Sequence, residues 1–161
     1  MDSKGWLSYL ERKHARRDQH LFEALSWFSG GTQKRNIGIS VVEGYWAEIP
    51  HLRGILVTLL VNQAIYLLTQ SEQYKSSHER NNFCRIMRLL LNFIDLKERS
   101  PHQHKWLFEA LNERINEKCK KGVEISMNDL KDWKDRLGDI ITDLDDIPCS
   151  AQDRDMNDEP N

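Results

Sequence analysis

The stretch ILVTLLVNQAIYLL, residues 55–68, decides the fold. It is 14 residues long, carries no charge, and is interrupted only by Thr58, Asn62 and Gln63. A bilayer span needs roughly 20 apolar residues, so this segment is too short to cross a membrane and is expected to be a buried core helix, extending from about His51 to Thr69. A helix that apolar must be wrapped by amphipathic partners, and the flanking sequence supplies them.

Upstream, Leu7, Leu10, His14, Leu21, Leu25 and Phe28 share one helical stripe, which predicts a long first helix over Lys4 to Phe28. Gly30-Gly31 ends it. Residues Thr32 to Ser40 hold Lys34, Arg35 and Gly38 but no apolar stripe, and are expected to be a loop. A short helix or irregular segment is then expected through Tyr45 and Trp46 to Pro50. Downstream, Ser76-Ser77 offers an N-cap to a helix carrying Phe83, Ile86, Met87, Leu90 and Leu91 inward. Ser100-Pro101 is a cap followed by proline at the first helical position. That helix is expected to reach about Lys121, with Trp106, Leu107, Ala110, Leu111 and Ile115 inward and Gly122 as its stop. Ser126 caps a last helix whose Leu130, Trp133, Leu137, Ile140, Ile141 and Leu144 face the core.

The fold class expected is therefore all-α, a single-domain bundle of about five helices over residues 1–147, with a disordered acidic tail over 148–161. Its expected core is Ile55, Leu59, Ile65, Phe83, Ile86, Leu90, Trp106, Leu107, Leu111, Trp133 and Leu137. The N-terminus carries Asp2 and Lys4 and lacks the apolar run of a signal peptide. Cys84, Cys119 and Cys149 are widely spaced and odd in number, which fits reduced thiols in a cytoplasmic protein rather than a disulfide framework.

Charge is distributed unevenly. Met1 to Lys121 holds 19 Lys+Arg against 13 Asp+Glu, whereas Gly122 to Asn161 holds 4 against 12. The formal net charge of −2 conceals this polarity. Bases recur at helical spacing: Arg12, Lys13, Arg16 and Arg17 on the first helix, then Lys34 and Arg35, then Arg80, Arg85 and Arg88, then Lys105 and Arg114. Such side chains release counterions from phosphates and give salt-sensitive, sequence-blind affinity. The competing interpretation is an ordinary solvated face, since Glu11, Asp18, Glu79 and Glu98 are interspersed.

Chemistry is poorly represented. There is no GxSxG, no Ser-x-x-Lys and no glycine-rich phosphate loop, so no catalytic activity is expected. His102-x-His104 has the wrong spacing for a helical metal pair, and no metal or other cofactor is expected. Asp132, Asp135, Asp139 and Asp143 form a stripe on the last helix, best explained as the solvated face opposite its apolar one.

The order of segments resembles the small subunit of type I CRISPR effector complexes (Cascade), particularly the I-E form, over roughly Trp6 to Asp146. The likeness lies in the amphipathic first helix, the basic loop, and Val41-Val42-Glu43-Gly44-Tyr45-Trp46 leading into Leu56 to Leu68. Cys84-Arg85-Ile86-Met87 is similar to the family's Gly-Arg-Ala-Leu segment and places Arg85 on its arginine. Lys105-Trp106-Leu107 with Glu113-Arg114, and the helix Leu130 to Leu144, continue it. Ala24-Leu25-Ser26-Trp27 departs from the family's Ala-Leu-Arg-Arg, and the acidic tail is foreign to it. The resemblance implies a non-enzymatic subunit, present in tandem copies among other effector-complex subunits and in contact with crRNA and target or displaced DNA. Its expected nucleic-acid contacts are Arg12, Arg16, Arg17, Lys34, Arg35, Arg80, Arg85, Arg88, Lys105 and Arg114. Two rival classes are a helical protein–protein adaptor anchored on Trp27 or Trp46 and a metal-dependent nuclease built on the aspartate stripe.

Overall fold

A computed structural model describes residues 2–72, 75–92, 94, 99–116 and 121–146. Within them the chain forms six α-helices and no strand: α1 (Ser3–Trp27), α2 (Thr32–Tyr45), α3 (Arg53–Thr69), α4 (Ser77–Asn92), α5 (Pro101–Ile115) and α6 (Met127–Asp145). A 3-10 turn, Trp46–Glu48, follows α2 directly. The expected tail, and Cys119 and Cys149, lie outside the described residues.

The apolar helix is the axis of the molecule. Leu56, Val57, Leu60, Val61, Ala64, Leu67 and Leu68 of α3 are all buried. α3 packs on α4 and α5, α4 packs on α2, and the outer layers are α1 against α2 and α6 against α5. α6 also touches α4, where the Phe83 and Trp133 rings meet edge to face. Capping follows local chemistry: Asp2 accepts from Gly5 N at 2.7 Å, and Ser76 and Ser126 each accept from the amide three residues on at 3.2 Å.

The segment from Thr32 is helix, not loop. Its inward positions are Arg35, Gly38, Ile39 and Val42, so the helical period is intact but two of its core sites hold an arginine and a glycine. The stripe was hidden because polarity, rather than spacing, departed from the pattern. Gly38 lets α1 approach closely: a Cβ there would lie 3.0 Å from the Phe28 ring and 3.1 Å from the Ala24 carbonyl. Gly122 (φ 105°) lies in the left-handed region, and its Cβ would sit 1.9 Å from the Leu68 carbonyl oxygen. The chain there is held by Gly122 N to Ser71 O and Val123 N to Leu67 O, both 2.8 Å.

Of the expected core, Phe83, Ile86, Leu90, Leu107, Leu111 and Leu137 are buried, and Leu59, Ile65 and Trp133 pack partly buried against it. Ile55 and Trp106 are corrections, being 67% and 57% exposed. Ile55 shares the outer stripe of α3 with Asn62 and Tyr66, and Trp106 shares that of α5 with His102, Glu109 and Glu113.

Candidate nucleic-acid interface

The ten expected contacts separate into two groups once side chains are placed. Four are held within the fold. Arg17 is buried, donating from Nη1 to the Glu48 carbonyl at 3.1 Å and pairing with Asp18 at 3.1 Å. Arg35 is buried between α2 and α4, paired with Glu79 at 2.5 Å and donating to Gln63 Oε1 at 3.0 Å, with its guanidinium over the Tyr66 ring. Asn82 donates to the other Glu79 oxygen at 3.0 Å and completes the network. Arg114 is buried and donates to the backbone carbonyls of Lys121 and Val123, fastening the segment after α5. Arg85, singled out by the resemblance, grips Glu43 at 3.0 and 3.1 Å and also Asn36 and Ser40, joining α4 to α2. Arg17, Arg35 and Arg114 are thus corrected to internal fasteners. An arginine on a half-apolar helix face finds carbonyls or carboxylates there, and burial without such partners would be costly.

The other group faces solvent. Arg12, Arg16, Lys34, Arg80, Arg88 and Lys105 are exposed, Lys105 with its ammonium 3.3 Å from Asp145. Arg12 and Arg16, with Lys13, gather along a groove of about 680 Å³ between the N-terminal part of α1 and the end of α2, walled by Tyr9 and Tyr45. Glu48 is the acidic member of that lining. The wall is fixed by His20 Nδ1 meeting the Tyr45 hydroxyl at 3.0 Å and by the Arg17–Glu48 bond. α1 buries only Arg17, Leu21 and Ala24, so the inward stripe expected at Leu7 and Leu10 finds little cover; Leu7 is 57% exposed.

The sequence reading missed a second set on this helix. Trp6 and Tyr9 are about half exposed and stack on each other, with ring centroids 5.7 Å apart and planes at 27°. The signal was present: Trp6, Tyr9, Lys13 and Arg16 follow one another at spacings of three, four and three, a single helical stripe.

The candidate chemistry stands as follows. His104 is fully buried while His102 is exposed, so the pair points apart. His104 Nδ1 donates to the Ser100 carbonyl at 3.1 Å and Nε2 accepts from Arg99 at 2.9 Å. Burial, and then the adjacent guanidinium, push its pKa down to about 4, so the ring is neutral at physiological pH. Burial also pushes the Cys84 thiol up, with Asp129 adding to the effect, which disfavours the nucleophilic thiolate. Asp132, Asp135, Asp139 and Asp143 are exposed, and the described residues contain no His/Cys/Asp/Glu group arranged to hold a metal ion. No described helix is long and apolar enough to cross a membrane. Comparison with protein-family models, curated proteins and solved structures returns no match.

Proposed function

We propose that the chain is a non-catalytic subunit that binds nucleic-acid backbone, as the small subunit of a crRNA-guided surveillance complex. In that role it would meet crRNA and target or displaced DNA, other effector subunits and tandem copies of itself in the cytoplasm. The observation that carries the binding is the cluster of exposed Arg12, Lys13 and Arg16 along the α1 groove. These are long cationic side chains on one rigid element, suited to successive phosphates and lacking any arrangement that would read base edges of a duplex. The complex itself rests on the order of segments, in which base pairing supplies specificity and protein contacts follow the backbone.

A salt titration of single-stranded DNA binding tests this. Three phosphate contacts predict a slope of log K against log salt near about −2, from roughly −0.7 per contact. A slope near zero overturns the proposal. The adaptor reading has its own support in exposed Trp6, Leu7, Tyr9 and Phe22 on the same helix. It predicts salt-insensitive association with a protein partner.

A further inference from the structure

We propose that the free half of α1 is a stacking platform for single-stranded nucleic acid: unpaired bases lie against the Trp6–Tyr9 ring pair while adjoining phosphates meet Lys13 and Arg16. This deepens, and rests on, the nucleic-acid reading above.

The rings are where a structural role is hardest to assign. Trp6 is 51% and Tyr9 48% exposed, and they stack with each other rather than inserting between helices. A self-stacked pair in water leaves outer π-faces uncovered, and an aromatic ring gains most when such a face is covered. Two kinds of occupant can cover it, an apolar protein surface or a base. Charge decides between them. Lys13 and Arg16 continue the same stripe and Arg12 flanks it; Glu11 and Asp18 lie on the opposite side of the helix, and Glu48, across the groove, is outnumbered by these three cations. Protein interface cores are depleted of lysine, while aromatic rings interleaved with cations are the pattern of single-strand grooves. A second copy docking by this face would bring the same cations together, which opposes symmetric pairing. Along the helix, Lys13 and Arg16 lie about 6 and about 10 Å beyond Tyr9, within reach of phosphates neighbouring a base stacked there. A duplex offers no free base faces except at its ends, so the platform selects single strands.

The test uses the full chain, a fluorescent oligothymidine, an abasic strand of equal length and a duplex, followed by anisotropy across salt. Wild type is expected to prefer oligothymidine. Trp6→Ala with Tyr9→Ala should weaken oligothymidine roughly ten-fold or more. Its affinity for the abasic strand, its salt slope and its melting temperature should not move. Trp6→Phe with Tyr9→Phe should restore much of the loss. Lys13→Ala with Arg16→Ala should weaken all three ligands and flatten the salt slope. If the aromatic double variant binds oligothymidine like wild type, or loses self-association instead, the platform is wrong. Wild type binding all three ligands equally also overturns the platform while leaving backbone binding intact. Wild type binding none of them at low salt overturns the nucleic-acid reading itself.

Discussion

Arg35 and Glu79 meet at 2.5 Å between α2 and α4 with their side chains only 6% and 2% exposed. Gln63 accepts from Arg35 Nε and Asn82 donates to the other Glu79 oxygen, both at 3.0 Å. The pair occupies a position where the helical period of α2 calls for an apolar residue, so it works as a polar latch in the core rather than as a docking surface. Truncating one partner leaves the other charge buried and unanswered. Glu79→Ala or Arg35→Ala should therefore lose about 3–5 kcal/mol in urea denaturation. Replacing both by Leu and Met should lose less than either single change, and a double-mutant cycle reads the difference directly.

His104 makes stability depend on pH in a defined direction. Its pKa falls from 6.5 to about 4 on folding, so the unfolded chain binds more protons between those values. Stability from this group is fully present above pH 6.5 and is lost as pH falls toward 4, up to about 3 kcal/mol. Protonation would also set a second cation against Arg99, which donates to the Leu90 and Ile94 carbonyls. Urea midpoints at pH 7 and pH 4.5, with the imidazole titration followed by NMR, check both the sign and the residue.

Glycine substitutions separate required from incidental flexibility. Gly122→Ala forces a Cβ onto the Leu68 carbonyl at a positive φ and should lose at least about 2 kcal/mol. Gly44→Ala, inside α2 with open space around it, should gain up to about 1 kcal/mol. Thermal melts of the two variants should move in opposite directions.

Much of this architecture was legible because α3 is apolar on almost every face and its partners keep a strict helical period. Ser76, Ser100-Pro101 and Ser126 mark helix starts that the structure reproduces to within a residue or two, whereas α5 ends at Ile115, short of the stop expected at Gly122. Two things were not legible. α2 escaped detection because Arg35 and Gly38 hold core sites, and their fitness there depends on Glu79 and Phe28, which are distant in sequence. The candidate interface was blurred for the same reason. A basic residue beside an apolar stripe points to solvent or to a neighbouring helix according to what that helix presents. Arg85 found Glu43 on α2, whereas Arg12 and Arg16 stay exposed along the α1 groove.

That difference yields the sharpest comparison. Arg85 was the contact singled out by family resemblance, yet its guanidinium is spent on Glu43, Asn36 and Ser40, all on α2. Arg85→Ala should lower stability by about 1 kcal/mol or less, the worth of a partly exposed ion pair, and leave the salt slope of DNA binding unchanged. Arg12→Ala with Arg16→Ala should do the reverse. Both side chains are exposed on a helix half that packs against little, so the melting temperature should hold. Loss of two phosphate contacts should reduce the magnitude of the single-strand salt slope by about 1.4, at roughly 0.7 per contact. Should Arg85→Ala instead flatten the slope, the Glu43 pair must open to admit phosphate, and α4 rather than α1 carries the strand. If neither variant moves the slope, the basic faces are solvated surface and the exposed aromatics of α1 become the anchor of a protein partner.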